Sequence, residues 1–231
     1  MKKKSCLTQY NTSDTQSNLS LNISEYAVLN KHKRKIGILG GTFNPIHSGH
    51  VKMGIDAHDE FSLSKVLYIP TSRPPHKDNT IIARDVDRLS MLDLALSEPY
   101  MQICDVELNR IGVTYTIDTL NELKKIYAND EFYYIIGSDT LFTLDSWKNF
   151  YDVLTLTNFI VFLRNNEDTK KVKLCMDFYN SMGKKRICLA SNPGLLISSS
   201  MIRDNIKTDL NLSELLPKPV INYIKENKLY T

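Results

Sequence analysis

From Lys35 onward, runs of strand length rich in β-branched and aromatic residues alternate with amphipathic stretches of helix length, and that alternation leaves few folds open. Strand-like runs fall at 35–40, 65–70, 101–108, 131–137, 158–163 and 186–190, with helix-like stretches at 51–61, 86–96, 117–127 and 172–182. Successive strand–helix units return each strand parallel to the last, so the order predicts an α/β, Rossmann-like parallel sheet with helices on both faces. The remaining stretches, 199–204, 212–216 and 217–227, read as a small C-terminal helical segment, with Pro217 suited to a helix start. In sheets of this kind ligands bind beyond the carboxyl ends of the strands, which directs attention to the loops that follow them.

Residues 1–34 behave differently. Polar Thr, Ser, Asn and Gln dominate from Thr8 to Ser24, no period persists, and the stretch closes on Lys31-His32-Lys33-Arg34-Lys35. The expected organisation is a polar, basic tail at 1–34 and one globular domain at 35–231. Charge divides the same way: residues 1–35 carry a balance of +5 and residues 36–231 a balance of −2. The globular part is therefore not a nucleic-acid binder by bulk charge. Ser5, Thr8, Gln9 and Asn11 interrupt any apolar core after Lys2-Lys3-Lys4, which argues against a secretory signal, and no apolar run reaches the ~18 residues of a membrane span. Cys6, Cys104, Cys175 and Cys188 form no C-x-x-C pair, which argues against a zinc site or a disulfide framework and favours a reducing, cytoplasmic setting. For Lys31–Lys35 two readings stay open, a nuclear address and a solvated charge run, and the second is the commoner.

Chemistry concentrates where the first strand meets the first helix, in Gly40-Gly41-Thr42-Phe43-Asn44-Pro45-Ile46-His47-Ser48-Gly49-His50. The glycines permit a tight turn and close approach of a ligand, and a helix start presents unpaired N–H groups that favour an anion such as phosphate. The segment is neither a G-x-G-x-x-G turn nor a Walker loop. His47 and His50, three apart, fall on one side of a first helical turn, where two imidazoles suit donation to phosphate oxygens that gain charge during transfer. A lone histidine is more often structural, and an i, i+3 pair can bind metal, but no third ligand stands at metal spacing nearby.

Elsewhere, Lys77 follows Pro74-Pro75-His76 in the loop after the second strand, as a compact charge for phosphate or simply an exposed lysine. Ser199, Ser200 and Arg203 surround a helix start where hydroxyls and a guanidinium converge, although capping alone accounts for the serines. Asp139 lies just beyond a strand, after Gly137, placed either to accept from ribose hydroxyls or to cap a helix. Trp147 is the sole tryptophan, a residue most often found as a core anchor.

The glycine–histidine segment resembles the signature of the H-x-G-H nucleotidyltransferases. Five more segments narrow the resemblance to the bacterial-type nicotinate mononucleotide adenylyltransferases: Pro74-Pro75-His76-Lys77, the run from Glu107 to Leu120, Ile136-Gly137-Ser138-Asp139, Ser146-Trp147, and Ile197-Ser198-Ser199-Ser200-Met201-Ile202-Arg203. The resemblance covers about residues 35 to 231, ending on Leu229-Tyr230. It implies transfer of AMP from ATP to nicotinate mononucleotide, giving nicotinate adenine dinucleotide and pyrophosphate, with Mg²⁺ carried by the ATP phosphates and no protein metal ligand. It further implies His47 and His50 as catalytic, and ATP contacts from Gly40, Gly41, Thr42, Phe43, Lys77, Gly137, Asp139, Ser199, Ser200 and Arg203. The acceptor nucleotide would meet Thr116 and Trp147, the latter stacking on the pyridine ring. Partners are then the two nucleotides, with no nucleic acid or membrane, and with self-association into a homo-oligomer left open. Asn44 stands where bacterial-type members commonly carry Asp, and Asn165-Asn166 replaces the usual Pro-Gly after Arg164. Two alternatives remain at this point, another H-x-G-H adenylyl- or cytidylyltransferase and a non-catalytic nucleotide-binding module.

Overall fold

A computed structural model describes residues 33–72, 82–164, 168–183, 185–207 and 212–231. Lys77, the tail to residue 32 and Asn165-Asn166 lie outside the described residues. Six parallel strands form one sheet: β1 (Lys35–Gly41), β2 (Lys65–Pro70), β3 (Met101–Ile103), β4 (Glu131–Gly137), β5 (Thr157–Phe162) and β6 (Ile187–Leu189). Their spatial order is β3-β2-β1-β4-β5-β6, the doubly wound arrangement whose direction reverses between β1 and β4.

Strand periodicity explains the two cores. Ile36 and Ile38 of β1, Phe132, Tyr134 and Ile136 of β4, and Phe159 and Val161 of β5 face one side, while Leu39, Ile135, Ile160 and Phe162 face the other. On the first side pack α3 (Thr116–Ile126), α4 (Ser138–Leu141), α5 (Phe150–Leu156) and α6 (Thr169–Met182). The second side is covered by α1 (Ser48–Phe61), α2 (Asp85–Ala95), α7 (Ser199–Lys207) and α8 (Lys218–Glu226). Each fully buried Ile or Leu on these faces contributes about 1.5–3 kcal/mol of transfer free energy, which fixes register because a one-residue slip would turn the set outward. Small residues set the depth at which α1 docks: Gly54 and Ala57 are buried, and a Cβ on Gly54 would run into the Tyr68 hydroxyl.

Several sequence expectations need correction. β3 ends at Ile103 rather than at residue 108, because Leu108 and Asn109 donate back to the Asp105 carbonyl and turn the chain. Residues 212–216 form turns closed on the Leu212 carbonyl instead of a helix. Three short elements between β4 and β5, namely α4, the 3₁₀ turn Leu144–Ser146 and α5, have no counterpart among the expected elements, because none is long enough to show a period. Cys175 and Cys188 are free thiols. Among the described residues no helix is long and apolar enough to cross a membrane.

Candidate active site

A cleft of about 280 Å³ opens at the carboxyl end of the sheet, where β1 and β4 part. Gly40, His47 and His50 form one wall, Gly137, Asp139 and Arg164 the other, with Tyr134 and Trp147 between them and Leu195 and Ile197 closing the side. A larger hollow of about 610 Å³, beside Val106, Ile111 and Ile126, has neither a glycine turn nor imidazoles in its lining.

The two histidines are held by the start of α1. His47 is the N-cap, and its Nδ1 accepts from the His50 N–H at 3.3 Å, while His50 Nδ1 accepts from the His47 N–H at 3.3 Å. This is a capping box built from two imidazoles, where Ser and Glu more commonly serve. A ring nitrogen that accepts cannot carry the proton, so each neutral ring holds it on Nε2, the opposite edge. The rings stack at a centroid distance of 3.6 Å, which a pair of imidazolium cations would oppose. Burial, with the Arg164 guanidinium adding to it, drives the His47 pKa down from 6.5 to about 3, so His47 is neutral at physiological pH. Phe43, 1% exposed, packs edge-on behind His50 at 5.0 Å. Gly49 is squeezed between the His47 ring and Ile197: a Cβ there would lie 3.0 Å from His47 Nδ1 and 3.7 Å from the Ile197 Cβ.

The turn from Gly41 to His47 is pinned through its carbonyls. Gly41 O accepts from the Thr71 N–H (2.9 Å), Thr42 O from the buried Arg88 guanidinium (2.7 Å), Asn44 O from Arg203 (2.8 Å) and Pro45 O from the Ser199 hydroxyl (2.9 Å). Across a trans peptide the N–H points opposite to the C=O, so the Thr42 and Phe43 N–H groups are turned away from these anchors. Arg88 also holds Thr71 O at 2.8 Å and pairs with Asp85 at 2.5 Å, tying the ends of β1 and β2 together from α2.

Opposite, the contacts are looser. Asp139, in the first turn of α4, lies 3.5 Å from Arg164, and both side chains are about half exposed (51% and 47%). Arg164 itself is anchored by its backbone N–H to the buried Ser138 hydroxyl at 3.1 Å. Tyr134 is largely buried, which holds its phenol well above the ordinary range, and its hydroxyl is bonded to Thr116 at the start of α3. That hydroxyl also occupies the space a Cβ on Gly40 would need. Trp147 stands edge-on to Tyr134 at 5.5 Å.

Gly40, His47, His50, Gly137, Asp139 and Trp147 are thus brought to one cleft. Gly41, Thr42, Ser199 and Arg203 belong to the turn or its anchors, with Ser200 joined through Arg203 at 3.1 Å, and Phe43 lies buried behind the wall. Thr116 does not line the cleft and is hydrogen-bonded to Tyr134, which does. Sequence reasoning missed Arg88, Tyr134 and Tyr230. For Arg88 a signal existed, a cation at a position in phase with the apolar residues Met91, Leu92 and Ala95 of α2.

The doubly wound sheet, the glycine turn and the paired histidines define a class, and a family model described as Cytidylyltransferase-like matches residues 38–205, so the chain belongs to the cytidylyltransferase-like family. Curated relatives narrow it. A protein of Lachnoclostridium phytofermentans named probable nicotinate-nucleotide adenylyltransferase is 34% identical over 198 residues, covering 85% of this chain and 99% of that one. One of the same name from Desulfitobacterium hafniense is 36% identical over 205 residues, covering 87% and 98%. Within the larger family the chain therefore belongs to the nicotinate-nucleotide adenylyltransferases. The fold is shared with Plasmodium falciparum nicotinic acid mononucleotide adenylyltransferase, solved in complex with NaAD (TM-score 0.69, 21% identity, 85% and 97% coverage) and with APC (TM-score 0.69, 19% identity, the same coverage).

Proposed function

We propose that this chain transfers the AMP group of ATP to nicotinate mononucleotide, releasing pyrophosphate and yielding nicotinate adenine dinucleotide, a reaction of NAD biosynthesis. The observation that carries the reading is the reciprocal cap of His47 and His50, which commits both Nδ1 atoms to the backbone and both protons to Nε2 at the mouth of a pinned glycine turn.

In the reaction a phosphate oxygen of nicotinate mononucleotide attacks the ATP α-phosphorus in line, and the bond from that phosphorus to the bridging oxygen of pyrophosphate breaks. The nucleophile is already anionic, so no base is required and catalysis is positioning plus charge stabilisation. His47 and His50 donate from Nε2 to the phosphate oxygens. The turn's N–H groups and the start of α1 supply further donors, and Arg203 with Ser199 and Ser200 at the start of α7 faces the leaving pyrophosphate. Asp139 takes the ribose hydroxyls, exchanging Arg164 for them. Trp147 stacks on the pyridine ring, and the positive end of α3 at Thr116 favours a carboxylate over a carboxamide. Magnesium enters with ATP, held by phosphate oxygens and water. Among the described residues no three His, Cys, Asp or Glu side chains stand together as a metal cage.

The test is pyrophosphate release by the full chain from MgATP with nicotinate, nicotinamide or other mononucleotides and with phosphopantetheine. Fastest turnover on nicotinate mononucleotide is the expected result. ATP binding without pyrophosphate release from any acceptor would refute the reading.

A further inference from the structure

We propose that Tyr230 is a positioning residue for the phosphate-binding turn, acting through Asn44; the inference rests on the adenylyl-transfer reading and adds a residue remote from the reacting atoms. Asn44, 4% exposed, sits in the middle of the turn. Its Oδ1 accepts from the Tyr230 hydroxyl at 2.8 Å and from the Ala83 N–H at 2.9 Å, which fills both lone pairs of a carboxamide oxygen. Its own carbonyl is the one that Arg203 holds, at 2.8 Å. One residue therefore joins the turn, the approach to α2, α7 and the segment after α8.

Tyr230 reaches this place by an uncommon path. Lys228 and Tyr230 both adopt left-handed backbone, with φ of 49° and 66°, a conformation that non-glycine residues take only when their surroundings impose it. The Leu229 N–H closes the end of α8 on the Ile224 carbonyl at 3.0 Å, which starts the reversal. Seven residues earlier, Tyr223 donates to Asp87 of α2 at 3.0 Å, so one phenol of this segment holds α2 while the other shares the Asn44 oxygen with the Ala83 N–H. Tyr223 joins α8 to α2, whereas the Tyr230 hydroxyl is bonded at the turn. Burial keeps the Tyr230 phenol protonated, with Arg203, Arg88 and Asp87 as its charged neighbours.

The experiment compares wild type, Tyr230→Phe, Asn44→Ala, Asn44→Asp and the two double variants that join Tyr230→Phe to each Asn44 change, all as the full chain. It reads steady-state constants for both substrates and, apart from turnover, ATP affinity by calorimetry. Tyr230→Phe keeps the ring and loses one hydrogen bond, so kcat/KM for ATP should fall about three- to tenfold and the ATP Kd rise in step, with KM for nicotinate mononucleotide unchanged. The Tyr230→Phe change should cost nothing further in Asn44→Ala, which has no acceptor, and should cost its full amount in Asn44→Asp, which keeps one. Equal losses for both substrates, additive losses with Asn44→Ala, or ATP affinity within twofold of wild type in Tyr230→Phe would overturn the proposal. Absence of pyrophosphate release from wild type would instead refute the reaction, and the calorimetric comparison would still decide the role of Tyr230.

Discussion

The two walls of the cleft are built to opposite standards. On the β1 side each carbonyl from Gly41 to Pro45 except that of Phe43 has a named donor, the cap is reciprocal, and Asn44, His47 and Arg88 are buried at 4%, 5% and 0% exposure. On the β4 side the main polar feature is a 3.5 Å pair between two half-exposed side chains, Arg164 and Asp139. On the proposed reaction the difference follows what each wall would have to do. Groups that meet charge developing on phosphorus gain most when fixed in advance, because reorganising dipoles during the step costs the energy they would otherwise supply. A group that receives a ribose hydroxyl can be held loosely, since its partner arrives with the substrate and an exposed ion pair is worth only about 0–1 kcal/mol to give up.

Breaking the rigid wall should therefore cost far more than breaking the loose one. His50→Ala removes a donor to the reacting phosphates and should lower kcat by about 10²–10³ in steady-state assays. Arg203→Ala strips both the Asn44 carbonyl and the triphosphate of a charged donor, and kcat/KM for ATP should drop about 10- to 100-fold. Asp139→Asn should raise KM for ATP only about two- to tenfold, with the denaturation midpoint unmoved, as a half-exposed contact implies. The smallest effect sharpens the comparison by its absence: the His47 ring should show no titration between pH 5 and 8 by NMR, since its folded pKa is about 3. Below its ordinary 6.5 the unfolded chain takes up a proton there while the folded chain does not until about 3, so acid favours unfolding across that range. His47→Asn should shift the acid midpoint to lower pH.

Legibility in the sequence differs between these walls. Glycines and histidines at fixed spacing announce the rigid turn, because a tight bend and a helix start restrict residue types through backbone geometry. β2 and β4 appear at the very residues that their apolar runs mark, 65–70 and 131–137. What holds the turn is hidden, since Arg88, Arg203 and Tyr230 approach it from residues 46, 159 and 186 positions away, and long-range hydrogen bonds leave no local period. Arg203 stands out in the sequence beside a helix start, but nothing local says that it reaches the Asn44 carbonyl. Asn44, a departure from the usual Asp, supplies an oxygen that accepts twice, which a carboxylate oxygen can also do. The loose wall is least legible: α4, the 3₁₀ turn and α5 occupy 19 residues, 138–156, without one helix long enough to repeat its pattern.

The imidazole cap leads to a last consequence. Each ring serves the helix along one edge and faces the cleft along the other, so architecture and chemistry share a side chain without sharing an atom. A serine or asparagine in place of His47 would still begin α1 competently while offering nothing to a phosphate. On the proposed reaction such a protein would fold and keep its cap yet turn over poorly, which separates the duty of this side chain at the helix start from its duty at the phosphate.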